Sequence, residues 1–196
     1  MKYATYFTGL LLAVSIMHTA CAQPDLSEIN ARRIQTTRNT MWVLGGWATA
    51  NIASGLVLRP QAEAHLRYFH EMNIWWNVIN LGLATGGFIG TLRQQPGDFD
   101  EWQTFREQQK TEQILLFNAG LDLAYITTGI FLTEKAKNTP SDQLRLKGYG
   151  QSLMLQGGFL FLYDLSAFII HKKQNQAGYR LMIAPGAQQI GLRLSF

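Results

Sequence analysis

Asn73 to Leu92 reads NIWWNVINLGLATGGFIGTL, and this stretch decides the fold. It runs for 20 residues without Asp, Glu, Lys or Arg, yet it repeats an amide at helical spacing. On a helix, Asn73, Asn77 and Asn80 fall within about 60° of one another, while Gly82, Gly86 and Gly90 line the opposite face. At about 1.5 Å per residue the stretch spans roughly 30 Å, the thickness of a bilayer's hydrocarbon core. It predicts a membrane-spanning helix with a polar seam toward one neighbour and a small-residue face toward another.

The rest of the chain repeats this plan. The whole sequence is 47% hydrophobic with a mean hydropathy of −0.04, values that look soluble. The charges, however, are segregated. Segments 41–58 and 73–92 carry none, and segments 113–133 and 151–170 carry one each, Asp122 and Asp164. Polar stretches precede each apolar one, so the reading is an all-α, four-helix up-down transmembrane bundle in a membrane domain over residues 23–172. The chain of 196 residues suits a single bundle.

Residues 1–22 read as a signal peptide: Lys2 is the positive segment, Leu10 to Met17 the apolar run and Ala20-Cys21-Ala22 the small-residue cleavage site. The competing reading acylates Cys21 as a lipoprotein anchor, but His18 stands where such signals want an aliphatic residue. Cys21 is the only cysteine, so cleavage after Ala22 would leave no disulfide partner.

Asp25 is placed to cap a polar helix running through Arg32, Arg33 and Arg38 into the first span, which carries Asn51 and a stripe of Gly46, Ala50 and Ser54. Pro60 can open the second helix. Asp98 or Asp100 can cap the third after the Pro96-Gly97 break, and Thr139-Pro140-Ser141-Asp142 announces the fourth as a capping box. Residues 173–196 form a tail in which Tyr179 to Ala184 and Gln189 to Ser195 alternate around Pro185-Gly186 as a short β-hairpin. No strand pattern upstream supports a barrel.

The motifs MNIWWNVIN from Met72, FNAGLDLAYITTG from Phe117 and LQGGFLFLYD from Leu155, with four spans and a signal peptide, resemble an uncharacterised family of small four-helix bacterial membrane proteins. The likeness covers about residues 25 to 172. It implies the fold and carries no activity, substrate or catalytic residue.

The polar residues inside the spans are the candidate site. Counted by depth, Asn51, Asn80 and Asp122 lie near the midplane, Asn77 and Gln156 share a second layer, and Asn118 and Asp164 a third. An ionised carboxylate at that depth costs a few kcal/mol, so Asp122 is expected to face the bundle, be hydrogen-bonded or be protonated. One account is structural, with this Asn/Asp/Gln network joining the helices and the Gly82, Gly86 and Gly90 face packing within the bundle or between two copies as a homo-oligomer. The alternative is a proton, cation or solute path using Asp122 and Asp164.

No nucleotide loop, cysteine metal motif or nucleophile elbow is present, which points away from an enzyme. No cofactor or metal is expected. His65 and His70, at i,i+5, point about 140° apart on a helix, unlike a metal-binding i,i+4 pair. The net charge of +4 suits a lipid bilayer with anionic headgroups and requires no nucleic acid. The signal peptide places the protein in a bacterial inner membrane with its mature N-terminus periplasmic. Lys and Arg oppose this, ten in the segments outside against six inside, but the signal is the more direct indicator.

Overall fold

A computed structural model describes residues 25–182, so the signal segment 1–22 lies outside the described residues. Four long helices fill the described chain: α1 (Leu26–Leu58), α2 (Ala64–Leu92), α3 (Glu101–Ala136) and α4 (Gln143–Met182). No strand occurs among the described residues. Where the first arm of the hairpin was expected, Tyr179–Met182 continue α4; the second arm lies outside the described residues. Prolonging a helix adds a backbone bond per residue, whereas an isolated two-stranded hairpin is marginal in water.

Local chemistry sets the ends. Asp25 caps α1, its carboxylate accepting from the Ser27 amide at 3.3 Å. A 3₁₀ turn at Arg59–Gln61 takes Pro60, and α2 opens three residues later at Ala64, which adopts a left-handed φ of 49°. The capping box sits on α3: the Gln103 amide donates to Asp100 Oδ1 at 2.7 Å, and the Asp100 amide donates to Gln103 Oε1 at 3.0 Å. At α4, residues 139–142 form a turn instead. The Thr139 hydroxyl donates to the Lys135 carbonyl at 3.0 Å, so α3 uses it, and the Asp142 carbonyl accepts α4's first bond from Leu146 at 2.9 Å.

The chain packs as two antiparallel pairs, α1 with α2 and α3 with α4, joined mainly where α2 crosses α4. The backbones of α2 and α3 do not pack on each other. One of the tight crossings is glycine on glycine. A Cβ at Gly129 of α3 would lie 2.6 Å from the Gly150 carbonyl oxygen of α4, and one at Gly150 would lie equally close to that of Gly129. By contrast, a Cβ at Gly82, Gly86 or Gly90 would meet nothing within 4 Å. The expectation that this face packs within the bundle is therefore corrected: it turns outward, because the three asparagines opposite it claim the interior.

The molecule is polar inside and apolar outside. Among the described residues ten hydrophobic side chains are buried, five of them alanine, against fifteen polar or charged ones. Twenty-six large hydrophobics, including Trp75, Leu83, Phe117 and Leu162, are exposed. Water would penalise such a surface heavily, whereas hydrocarbon accepts it. By length and composition α1 with its 3₁₀ turn, α3 and α4 as far as Gln176 can each cross a membrane. The exception is α2, the helix carrying 73–92. Its three asparagines lower its hydropathy, yet all three are buried and its outward side chains are Trp75, Val78, Ile79 and Leu83.

At 36 residues α3 is about 54 Å long, well beyond a bilayer core. Its polar first turns pack beside the start of α1, where Asn30 donates to the Thr104 hydroxyl at 2.8 Å and the Arg33 guanidinium stacks 4.8 Å from the Phe99 ring. Thr36 and Gln174 tie α1 to the far end of α4 on the same side.

Candidate functional site

Two polar clusters occupy the interior. The first joins α1, α2 and α4 through amides. Gln156 Nε2 donates to Asn73 Oδ1 at 2.6 Å and approaches Asn51 Oδ1 at 3.4 Å, while Asn73 Nδ2 donates to the same Asn51 oxygen at 2.9 Å. The Ser152 hydroxyl adds a bond to Asn73 Oδ1 at 3.0 Å, and the Trp47 indole donates to Gln156 Oε1 at 2.9 Å. Asn77 continues the seam by donating to the Asn73 carbonyl at 2.8 Å, and Asn80 approaches Asn77 Oδ1 at 3.4 Å. Stacking of Trp47 on Phe159, with centroids 3.8 Å apart and planes 4° apart, fixes the indole over this cluster.

The grouping differs from the expected layers. Asn51 joins Asn73 and Gln156 and does not meet Asp122. Asn51 and Asn73 are equidistant in sequence from Ala62, so the short turn between α1 and α2 aligns them; counting from the first uncharged residue of each span ignores that register. Asn73 also shares the amide stripe with Asn77, a signal visible in the sequence, whereas nothing local marks Trp47 or Ser152 as partners.

The second cluster is an acid pair between α3 and α4. Asp122 and Asp164 are 3% and 5% exposed, and their carboxyls face each other closely enough to interact. Their meeting follows from helix geometry. Asp122 lies across from Gly157, whose added Cβ would come within 2.9 Å of the Asp122 carbonyl oxygen, and Asp164 is two turns further along α4. Side chains lean toward the N-terminus of their own helix, so on antiparallel helices the two carboxyls tilt toward each other. Asp122 Oδ2 is buried and has no hydrogen-bond partner.

Both acids line a cavity of about 420 Å³ bounded by all four helices. It lies where α2 and α3 fail to pack, with Leu160 and Tyr163 of α4 beside the acids. Trp76 of α2 and Tyr125 of α3 meet edge to face across the gap at 4.7 Å. Asn80 and Asn118 also line the cavity, Asn118 half-buried.

A further polar group lies on α2 below its apolar part. Glu71 accepts from Arg59 at 2.7 Å and from the Tyr149 hydroxyl at 3.1 Å, and the Arg59 bond holds its carboxyl below the usual range. Burial pushes His65 and His70 toward the neutral form, with Lys147 adding to the effect at His65. No three His, Cys, Asp or Glu side chains converge as metal ligands among the described residues.

A helical bundle with a polar interior, an apolar exterior and helices long enough to cross a bilayer is of membrane-protein type. The chain belongs to DUF6992, a family of unknown function, whose model matches residues 43–165. That range includes every residue of the amide cluster and the acid pair. No curated protein and no solved structure matches the chain significantly.

Proposed function

We propose that this is an integral membrane protein whose four helices all cross the bilayer, and that it serves as a structural or interaction bundle held together by its internal amide network. The observation that carries this reading is the inverted polarity: exposed Trp, Leu, Ile and Phe around buried Asn, Gln and Asp. The same pattern brings in α2, whose asparagines bond to α1 and α4 and whose outward face is apolar. Every amide of the Asn51, Asn73 and Gln156 cluster has a partner inside the protein, as joining helices in lipid requires.

The proposed location is a bacterial inner membrane with the mature N-terminus outside. Single cysteines at Gln103 and Gln143 test both insertion and orientation, because the two positions flank opposite ends of α3. Labelling of Gln103→Cys alone by an impermeant reagent is expected. Labelling of Gln143→Cys alone would reverse the orientation, and equal labelling of both would overturn the membrane reading.

The outward face of Gly82, Gly86 and Gly90 is the proposed contact between two copies. Beside it a groove of about 540 Å³ runs between α1 and α2, with Gly46, Ala50 and Ala53 as small residues along α1 that admit a helix closely, and Leu81, Thr85 and Phe88 along α2. A second functional reading, permeation of protons, cations or small solutes by way of Asp122 and Asp164, is favoured by one observation: both acids line a cavity.

A further inference from the structure

The cavity at the acid pair has the composition of a binding site. Its walls are apolar and aromatic, and it opens sideways between α2 and α3, where Ile79, Leu83, Ile114 and Leu121 are exposed. Its volume of about 420 Å³ falls in the range of small-molecule pockets, roughly 300–1,000 Å³. Polar groups are few and converge: Asp122 and Asp164 in mutual contact at one wall, with Asn80 and Asn118 nearby.

The decisive atom is Asp122 Oδ2. The residue is 97% buried by its 3% exposure, no N–H or hydroxyl among the described residues donates to this oxygen, and a carboxylate oxygen can only accept. The amide cluster leaves no comparable vacancy, since Gln156 and Asn73 are each bonded on both sides. Two carboxyls this close disfavour both being ionised, and a pair that shares one proton carries a single negative charge. Such a charge away from water is costly unless an opposite charge and a donor accompany it. The Trp76, Tyr125 and Tyr163 rings around the cavity add faces and edges suited to a flat apolar body or a cation.

We propose that the cavity between α2 and α3 is a lateral binding site for a small lipophilic monocation, a molecule with one N–H-bearing ammonium group on an apolar, aromatic-sized body. The ammonium donates to Asp122 Oδ2 and neutralises the acid pair, and the body lies between the Leu83 and Leu121 walls. Entry is from the lipid side, where α2 and α3 stand apart. The inference rests on the proposed membrane placement but not on the structural role of the amide network, because it uses different residues.

Full-length protein in lipid nanodiscs tests it with three naphthalene probes that share one body: naphthylmethylammonium, naphthylmethanol and naphthoate. Saturable binding above that of empty nanodiscs is the readout, and recovery of the protein in the discs reads membrane insertion separately. The ammonium is expected to bind at least tenfold more tightly than the alcohol, with the carboxylate weakest. Asp122→Asn combined with Asp164→Asn should bring the ammonium down to the alcohol's affinity at unchanged melting temperature. Equal affinity for ammonium and alcohol would make the cavity a general apolar slot for lipid chains and overturn the proposal, as would ammonium binding that survives the double substitution. Should the double variant fail to fold, Leu83→Trp decides the matter: it keeps both acids, fills the cavity from an exposed wall position and should abolish ammonium binding. Unaltered binding in that variant would also overturn the assignment.

Discussion

Gln156 donates to Asn73 across the interface of α4 and α2 at 2.6 Å, and the same glutamine accepts from Trp47 of α1 at 2.9 Å. One side chain thus connects three helices, and it adds to the Trp47–Phe159 stack between α1 and α4. Gln156→Leu keeps much of the volume but strands the half-buried Trp47 N–H and removes one of the buried Asn73's donors. Leaving buried polar groups unpaired costs about 1–3 kcal/mol. The unfolding free energy in mild detergent should fall by that amount; a loss too small to measure would show that the network is not what holds these helices.

Glycine substitutions should sort by the crossing they occupy. Gly129→Ala puts a methyl against the Gly150 backbone at 2.6 Å, where neither helix can yield without moving, and overpacking of this kind costs about 1–3 kcal/mol. Gly86→Leu, with nothing within 4 Å, should leave the melting temperature of the isolated protein unchanged. If the outward face joins two copies, Gly86→Leu should also convert the oligomer to a smaller species in size-exclusion chromatography with light scattering. An unchanged mass for the variant would remove that face from the interface.

Glu71 supplies a pH dependence with a fixed sign. Its carboxyl, held down first by the Arg59 hydrogen bond, is ionised more readily in the folded protein than in the unfolded chain. Stability from this group is therefore present above the unfolded glutamate value, about 4.3, and is lost as pH falls through the lower folded value. Glu71→Gln should melt at a lower temperature than the parent at neutral pH, and the two curves should converge in acid. A gap that stays constant between pH 7 and pH 3 would mean that the Glu71 charge contributes nothing.

The sequence carried the helices better than it carried their partners. Runs with at most one charge placed all four elements; Asp25 was legible as a cap and Asp100 as one of two candidates, because capping needs only a local side chain. The pairing of Asn51 with Asn73 was not, because register depends on where the chain turns, and the turn at Arg59–Gln61 begins α2 earlier than its apolar part does. Gly82, Gly86 and Gly90 attracted notice by their spacing, whereas two glycines that meet each other's backbone, Gly129 and Gly150, stand far apart in sequence. Spacing shows that a face exists; only the fold shows what covers it. The juxtaposition of Asp122 and Asp164 belongs to the same group, since it arises from the lean of side chains on two antiparallel helices.

Flux separates a joining role from a path at Asp122. A path for protons needs groups that gain and lose them, and beyond the acid pair the polar seam continues as Asn80, Asn77 and Asn73, amides that do not cycle a proton at neutral pH. The cavity also lies beside the gap where α2 and α3 stand apart. The expected result is that parent protein in proteoliposomes moves protons, sodium and potassium no faster than empty liposomes, and that Asp122→Asn folds as the parent does, since the amide keeps the size and can donate to Asp164. Parent flux above background that disappears in Asp122→Asn and Asp164→Asn, at unchanged melting temperature, would instead establish the acids as a conduction site and sink the purely structural reading.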